Sequence, residues 1–301
     1  GSECLATYKE FWLAVCALRS HLENEGIKPG DRVAVYMRNC PEYLIAFYGI
    51  WSMGAVILPI NSKLHTKEVG WILENARCSY VLCEESSTSE INFPGVTVFN
   101  PKWQQFDSNI HIPPVKRSST DLAWLFYTSG TTGRPKGVMI THGMIKTMAL
   151  SYFADVDQVH PSDTTLYAAP MSHGAGLYSI MHVLAGARHA IPVSGGFDEE
   201  EIFGLAEILQ NVHMLAAPTM VKRLTTFSRK NGYDGDGIRT IVYAGGPMYL
   251  SDIIEAVEQF GSLFIQVYGQ GECPMGITVL PRFEVSDRAV SYTHLTLPTR
   301  S

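Results

Sequence analysis

Three things are scarce in these 301 residues, and each absence narrows the reading. A cationic surplus is missing: 23 Lys and Arg against 29 Asp and Glu leave a net charge of −6. Binding along a phosphate backbone needs a cationic face, so no nucleic-acid partner is expected, although a local cationic pocket is compatible with the balance. Paired cysteines are missing. Cys4, Cys16, Cys40, Cys78, Cys83 and Cys273 contain no CxxC pair and match no zinc module. A chain of this length builds a core without covalent staples, so reduced thiols in a cytoplasmic protein are expected. No signal peptide is expected at the start.

One charge-free run needs a decision. Tyr43–Ile60 is 18 residues long, near the lower limit for a membrane span. Pro41 suits the first turn of a helix and Gly54 its end, and "AVILP" reads as a short buried strand. A helix–strand unit with no transmembrane segment is therefore expected.

What the chain does have is 46% apolar and 17% charged residues, enough for a sizeable core. Phe11, Trp12, Val15, Leu18 and Leu22 follow helical spacing, closed by Gly26. Strand-like runs ("RVAVYM", "GAVILPI", "SYVLC", "LAWLFYT", "GVMITH", "TTLYAAP", "ARHAIPV", "VHMLAAP", "IRTIVYAGG", "LFIQVYG") alternate with helical ones. Such alternation indicates an α/β fold with mostly parallel sheets. The proline-bearing region 84–119 reads as an irregular connection, which places a first α/β subdomain at 5–119 and a second at 120–285. The tail 286–301, which contains "VSYTHLTLPTRS", has no clear periodicity and is expected to be non-native. Asp155, Asp157 and Asp163 are expected at a solvated helix end and turn; His182 and His189 show no ligand spacing.

The densest chemistry lies in "YTSGTTGRPKG", Tyr127–Gly137. Its glycines let the backbone fold tightly and present N–H groups. Thr128, Ser129, Thr131 and Thr132 add hydroxyl donors, and Lys136 a mobile charge suited to a polyphosphate. The loop is not a Walker A motif, because Pro135 precedes the lysine, Gly137 follows it, and a strand rather than a helix comes next. A dinucleotide fingerprint is also absent: Gly174-Ala-Gly176 has Ser179 in place of the third glycine.

The loop resembles the signature of the adenylate-forming superfamily, which contains acyl- and aryl-CoA synthetases, luciferases and peptide-synthetase adenylation domains. Weaker motifs follow in that family's order: "ATYKEFW", "WSMGAVILPIN", "APMSHGAGL", "YAGGPM" and "QVYGQGE". The resemblance covers about residues 5 to 280. It implies the layered αβαβα subdomains of the family's large N-terminal domain. It also implies ATP, Mg²⁺ and CoA as cofactor and co-substrates of a carboxylic-acid ligase. By residue it implies a β/γ-phosphate cradle of Thr128, Ser129, Gly130, Thr131, Thr132, Gly133 and Lys136. Gly245, Gly246 and Pro247 would border the adenine, with Tyr268 packed on the base. Gly269 and Gly271 would lie alongside the nucleotide, and Glu272 would hold Mg²⁺. His173 would stand near the carboxylate, with Met248 and Gly269 near the acyl chain, and Lys136, His173 and Glu272 would carry the chemistry. "PMSHGAGLY" lacks the aspartate of amino-acid-activating members, which implies a fatty or aryl acid.

Rival readings stay open at the level of single residues: a core histidine for His173, core packing for Tyr268, a surface carboxylate for Glu272. At the level of the chain, the rivals are a non-enzymatic nucleotide-binding module, an acceptor other than CoA, and a phosphate-binding oxidoreductase. Two departures matter. Gly271 replaces the family's usual threonine, removing a hydroxyl donor. After Thr278 the family's ribose-binding aspartate, hinge and C-terminal lysine are not found, so a fragment without the C-terminal domain, unable to turn over, is expected.

Overall fold

The computed structural model describes residues 4–89, 91–102, 111–128 and 135–291. The middle of the glycine–hydroxyl motif, 129–134, and the tail 292–301 lie outside them. Two compact units divide the chain: Glu3–Thr147 with Pro170–Leu177, and Met148–Ala169 with Tyr178–Ser301.

The first unit opens with α1 (Tyr8–Asn24). Thr7 caps it: the Thr7 hydroxyl accepts from the Glu10 N–H, and the Glu10 carboxylate accepts from the Thr7 N–H at 2.7 Å. The apolar stripe read from the sequence is largely the buried one, with Val15, Leu18 and Leu22 fully covered. There follow β1 (Arg32–Tyr36), α2 (Pro41–Ser52), β2 (Val56–Pro59), α3 (Thr66–Asn75) and β3 (Tyr80–Cys83), then β4 (Thr97–Phe99), β5 (Leu122–Thr128) and β6 (Lys136–Thr141). The strands form one sheet in the order β4-β3-β1-β2-β5-β6. All pairs are parallel except β5–β6. The charge-free run thus falls on α2, β2 and the turn between them, and no helix among the described residues is long and apolar enough to cross a membrane. All six cysteines are free.

Two expectations change here. The region 84–119 is not wholly irregular, because β4 pairs with β3 through Thr97–Phe99. Three residues are too few to show a period, and only the neighbouring strand reveals them. The strands flanking the glycine–hydroxyl motif belong to the first sheet rather than to a second subdomain starting at 120, because Ile57 pairs with Trp124.

The second unit contains the later part of α4 (His142–Ser151), a widened helical turn (Tyr152–Val156), β7 (Thr164–Leu166), most of α5 (Gly174–Ala185), β8 (Arg188–Ala190), α6 (Glu199–Leu209), β9 (Val212–Ala216) and α7 (Pro218–Asn231). It continues through β10 (Ile238–Tyr243), α8 (Leu250–Phe260), β11 (Phe264–Gln270), β12 (Cys273–Leu280) and α9 (Arg282–Ser291). The sheet order is β12-β11-β10-β9-β7-β8, parallel except for β11–β12. Its core gathers Ile202, Phe203, Met214, Val221, Leu224 and Phe264.

Asp157 and Asp163 overturn the solvated-turn expectation, while Asp155 is exposed as expected. Asp163 is 2% exposed; it accepts from the Arg239 guanidinium and lies 3.2 Å from His213 Nε2. Asp157 accepts from Arg282 Nη2 at 2.7 Å and from the Thr240 hydroxyl at 2.6 Å. Buried carboxylates survive only when paired, and the partners arrive on β9, β10 and α9, far along the chain.

His182 and His189 lie near this cluster. His189 Nδ1 is 2.7 Å from the Tyr167 hydroxyl, and His182 Nδ1 is 2.9 Å from the Tyr178 carbonyl. Burial pushes His182 down to about 3 and His189 down to about 4. The fold therefore holds both rings neutral where the unfolded chain would protonate them. Their contribution is complete above about pH 6.5 and is lost as pH falls through 4 and then 3. Urea unfolding should give a lower midpoint at pH 5 than at pH 7.5. His189→Phe should flatten that dependence by up to about 1.4 kcal/mol per pH unit, and an unchanged slope would count against the assignment.

Candidate functional site

In the first unit, β5 and β6 form an antiparallel hairpin whose last two pairs are Tyr127 with Gly137 and Thr128 with Lys136. The strand ends thus set the motif's first hydroxyl opposite its lysine. Thr128 is half-buried and Lys136 exposed. Ser129, Gly130, Thr131, Thr132 and Gly133 lie outside the described residues.

Strand alternation gives β5 two faces. Leu125 and Tyr127 join the core beneath α3. Phe126 meets the His173 ring edge-on, with centroids 5.8 Å apart. His173 is not a satisfied core histidine, because its side chain is exposed. Its Nδ1 lies 2.9 Å from the Ser172 hydroxyl. Protein packed around the ring withdraws enough water to lower its pKa below the ordinary value, favouring the neutral imidazole. Neutral His173 can exchange a hydrogen bond with an acid without adding a fixed charge.

The turn before α5 is tightly held. The Met171 N–H donates to Asn39 Oδ1 at 2.8 Å in a buried contact, and the His173 N–H donates to the Pro170 carbonyl at 3.1 Å. Gly176 permits a close approach: a Cβ there would lie 2.1 Å from the Met171 oxygen and 2.7 Å from Phe47 Cε2. Asn39, Phe126 and Ser172 were not singled out by the sequence motifs. The Asn39–Met171 contact joins residues 132 apart, so no local pattern encodes it.

In the second unit the remaining residues gather at one sheet edge. Tyr243 on β10 pairs in parallel with Gln266 on β11. Gly245–Met248 follow β10, Tyr268–Gln270 are the last residues of β11 and Gly271–Glu272 the turn after it, so both segments lie at the carboxyl ends of neighbouring strands. That edge is the usual ligand side of an open α/β sheet. Gly245 has φ +83°, a left-handed turn that favours glycine. Gly245, Gly246 and Pro247 are exposed, whereas Met248 is 4% exposed and packed in the core. The half-buried Tyr268 accepts from Gln270 Nε2 at 2.9 Å.

Gln270 pairs with Cys273, leaving Gly271 and the exposed Glu272 as a two-residue turn. Gly269 is confined: a Cβ would sit 2.5 Å from the Met275 nitrogen. Among the described residues no group of three His, Cys, Asp or Glu side chains could hold a metal ion. A lone Glu272 still suits Mg²⁺, which keeps several waters and takes one or two carboxylates beside substrate phosphates.

Two mostly parallel α/β sheets, one bearing a threonine–lysine hairpin and the other glycine-rich turns at its strand ends, define the class as an α/β protein. The chain belongs to the AMP-binding enzyme family, whose model matches residues 2–300. It is 28% identical over 286 residues to a feruloyl-CoA synthase of an Amycolatopsis species, covering 94% of this chain and 57% of that protein. Identity to 4-hydroxybutyrate–CoA ligase 2 of Metallosphaera sedula is 27% over 297 residues, covering 88% of this chain and 52% of the relative. The chain thus spans about half the length of the curated relatives it matches. The crystal structure of the N-terminal domain of FACL13 from Mycobacterium tuberculosis superposes with a TM-score of 0.83 at 25% identity, covering 94% of this chain and 73% of that one.

Filling the notch beside His173 should be costly. Gly176→Ala is expected to destabilise the chain by about 1–3 kcal/mol through overpacking, read as a lowered urea midpoint. An unchanged midpoint would mean that the turn relaxes freely.

Proposed function

We propose that this chain is the nucleotide- and acid-binding part of an enzyme that activates a carboxylic acid with ATP and passes the acyl group to CoA. The observation that carries the reading is the pairing of Thr128 with Lys136 at the mouth of the glycine–hydroxyl motif. A carboxylate is a poor acylating agent. Its oxygen attacks the α-phosphorus, the bond to the β-phosphate bridging oxygen breaks, and pyrophosphate leaves. The thiol sulfur then attacks the acyl carbonyl, AMP departs, and the thiol proton passes to solvent.

The protein's task in the first step is to gather negative charge and hold the reactants in place. Lys136 and the hydroxyls of Thr128, Ser129, Thr131 and Thr132 take the β- and γ-phosphates. Gly245, Gly246, Pro247 and Tyr268 take the adenine, with Gly269 and Gly271 beside the nucleotide. Neutral His173 orients the acid. Glu272 would hold Mg²⁺, which supplies charge neutralisation on the phosphates when bound.

The segment carrying His173 has no carboxylate to meet an ammonium group, and Ala175 and Leu177 are 3% and 2% exposed. Both features support a fatty or aryl acid without an α-amine. The names of the relatives, a feruloyl-CoA synthase and a 4-hydroxybutyrate–CoA ligase, agree with such acids. Met248, packed in the core, shapes the acyl side from behind rather than through an open face.

The chain should bind ATP weakly in calorimetry, and Lys136→Ala should weaken that binding by about 10-fold or more, as loss of a charge-assisted contact implies. No ATP binding by the wild-type chain would refute the reading. Pyrophosphate exchange should stay at background for this chain alone. In the full-length protein octanoate or benzoate should exceed any standard amino acid in kcat/KM. Robust exchange by the chain, or preference for an amino acid, would overturn those respective parts.

A further inference from the structure

We propose that Tyr127 is a positioning residue for the polyphosphate hairpin: its ring and hydroxyl, held by Trp71 and Asn75 of α3, fix the ladder end that presents Thr128 and Lys136. The inference rests on the nucleotide-binding reading above and names a residue that the motif's hydroxyl-and-lysine logic leaves out.

Four observations converge on it. The Tyr127 hydroxyl donates to Asn75 Oδ1 at 2.7 Å. The Trp71 ring meets the Tyr127 ring edge-on, with centroids 6.2 Å apart at 85°. Gly137, paired with Tyr127 across the hairpin, leaves the space that the ring occupies: a Cβ there would lie 2.9 Å from Tyr127 Cζ. Tyr127 also packs with the core that contains Ile72 and Leu73, so the ring has a fixed floor.

The consequence follows from strand geometry. Successive side chains on β5 face opposite ways, so a clamp on Tyr127 from the α3 side sets the direction in which Thr128 leaves on the other side. Across the hairpin, the same clamp sets the height of Gly137 and therefore of Lys136. A hairpin end is otherwise free to fray, because its last pair has a neighbour on one side only. Anchoring the penultimate pair to a helix removes that freedom before the ligand arrives, which is the preorganisation that binding an extended anion rewards. Burial raises the Tyr127 pKa above its ordinary value, so the phenol stays a donor at neutral pH.

The test separates phosphate positioning from general integrity. Calorimetry with inorganic tripolyphosphate, ATP and AMP is run on the wild-type chain, Tyr127→Phe, Asn75→Ala, the double variant and Lys136→Ala. Tyr127→Phe and Asn75→Ala should each weaken tripolyphosphate and ATP by about 3- to 10-fold, the worth of one neutral hydrogen bond. The double variant should be no weaker than either single one, because both remove the same contact. AMP affinity should not move, which a loss of fold could not leave intact. Unchanged tripolyphosphate affinity in Tyr127→Phe, additive losses in the double variant, or equal losses for AMP and tripolyphosphate would each overturn the inference. If Lys136→Ala weakens ATP while Tyr127→Phe does not, this inference falls and the functional reading stands. If the wild-type chain binds neither ATP nor tripolyphosphate, both fall.

Discussion

The antiparallel closure of β5 by β6 is the constraint on which the candidate phosphate site depends. Every other pairing in that sheet is parallel and needs a crossover connection rather than a tight turn. A hairpin instead returns the chain at once, and here the return sets a threonine opposite a lysine with five hydroxyl- and glycine-type residues between them in sequence. The sheet supplies the rigidity: Trp124 and Leu125 are buried on opposite faces of the same strand. Such a rigid frame is how fixed scaffolds commonly present binding loops.

The same economy appears in the second unit. β10 ends at Tyr243, opposite Gln266, and β11 runs on to Gln270; beyond these ends come a left-handed glycine at Gly245, a two-residue turn at Gly271–Glu272, and Met275 at φ +59°. Glycine takes its turn without a steric cost, whereas the positive φ of Met275 costs energy and persists because the surrounding structure enforces it. The opposite, amino-terminal end of β10 carries Arg239 and Thr240 instead. They meet Asp163 and Asp157 in the buried polar cluster, which also draws in Arg282 from α9. Ligand-type turns and structural ion pairs thus occupy opposite ends of one strand.

His173 illustrates how a supporting shell gives a motif residue its character. The histidine is recognisable in "APMSHGAGL", but its orientation rests on Phe126, Ser172 and the Asn39-anchored turn. A ring that is both exposed and kept neutral by its surroundings differs from a free surface histidine and from a buried one such as His182. The buried type spends its polarity on the fold; the exposed type keeps it available.

The sequence by itself determined the alternation of helices and strands, because apolar periodicity is a local property. It set the helix stop at Gly26 and the identity of the chemistry-bearing residues. It also marked Lys136, Tyr268 and Glu272 as candidates, since their motifs are contiguous. Only the tertiary structure decided that β4 joins a sheet, that Asp157 and Asp163 are paired rather than solvated, and that Met248 turns inward. Only the tertiary structure brought Asn39 to Met171. Those outcomes depend on partners dozens to more than a hundred residues away, and the free energy of a buried charge or a tight glycine contact is defined by the partner, not by the residue's neighbours in the chain.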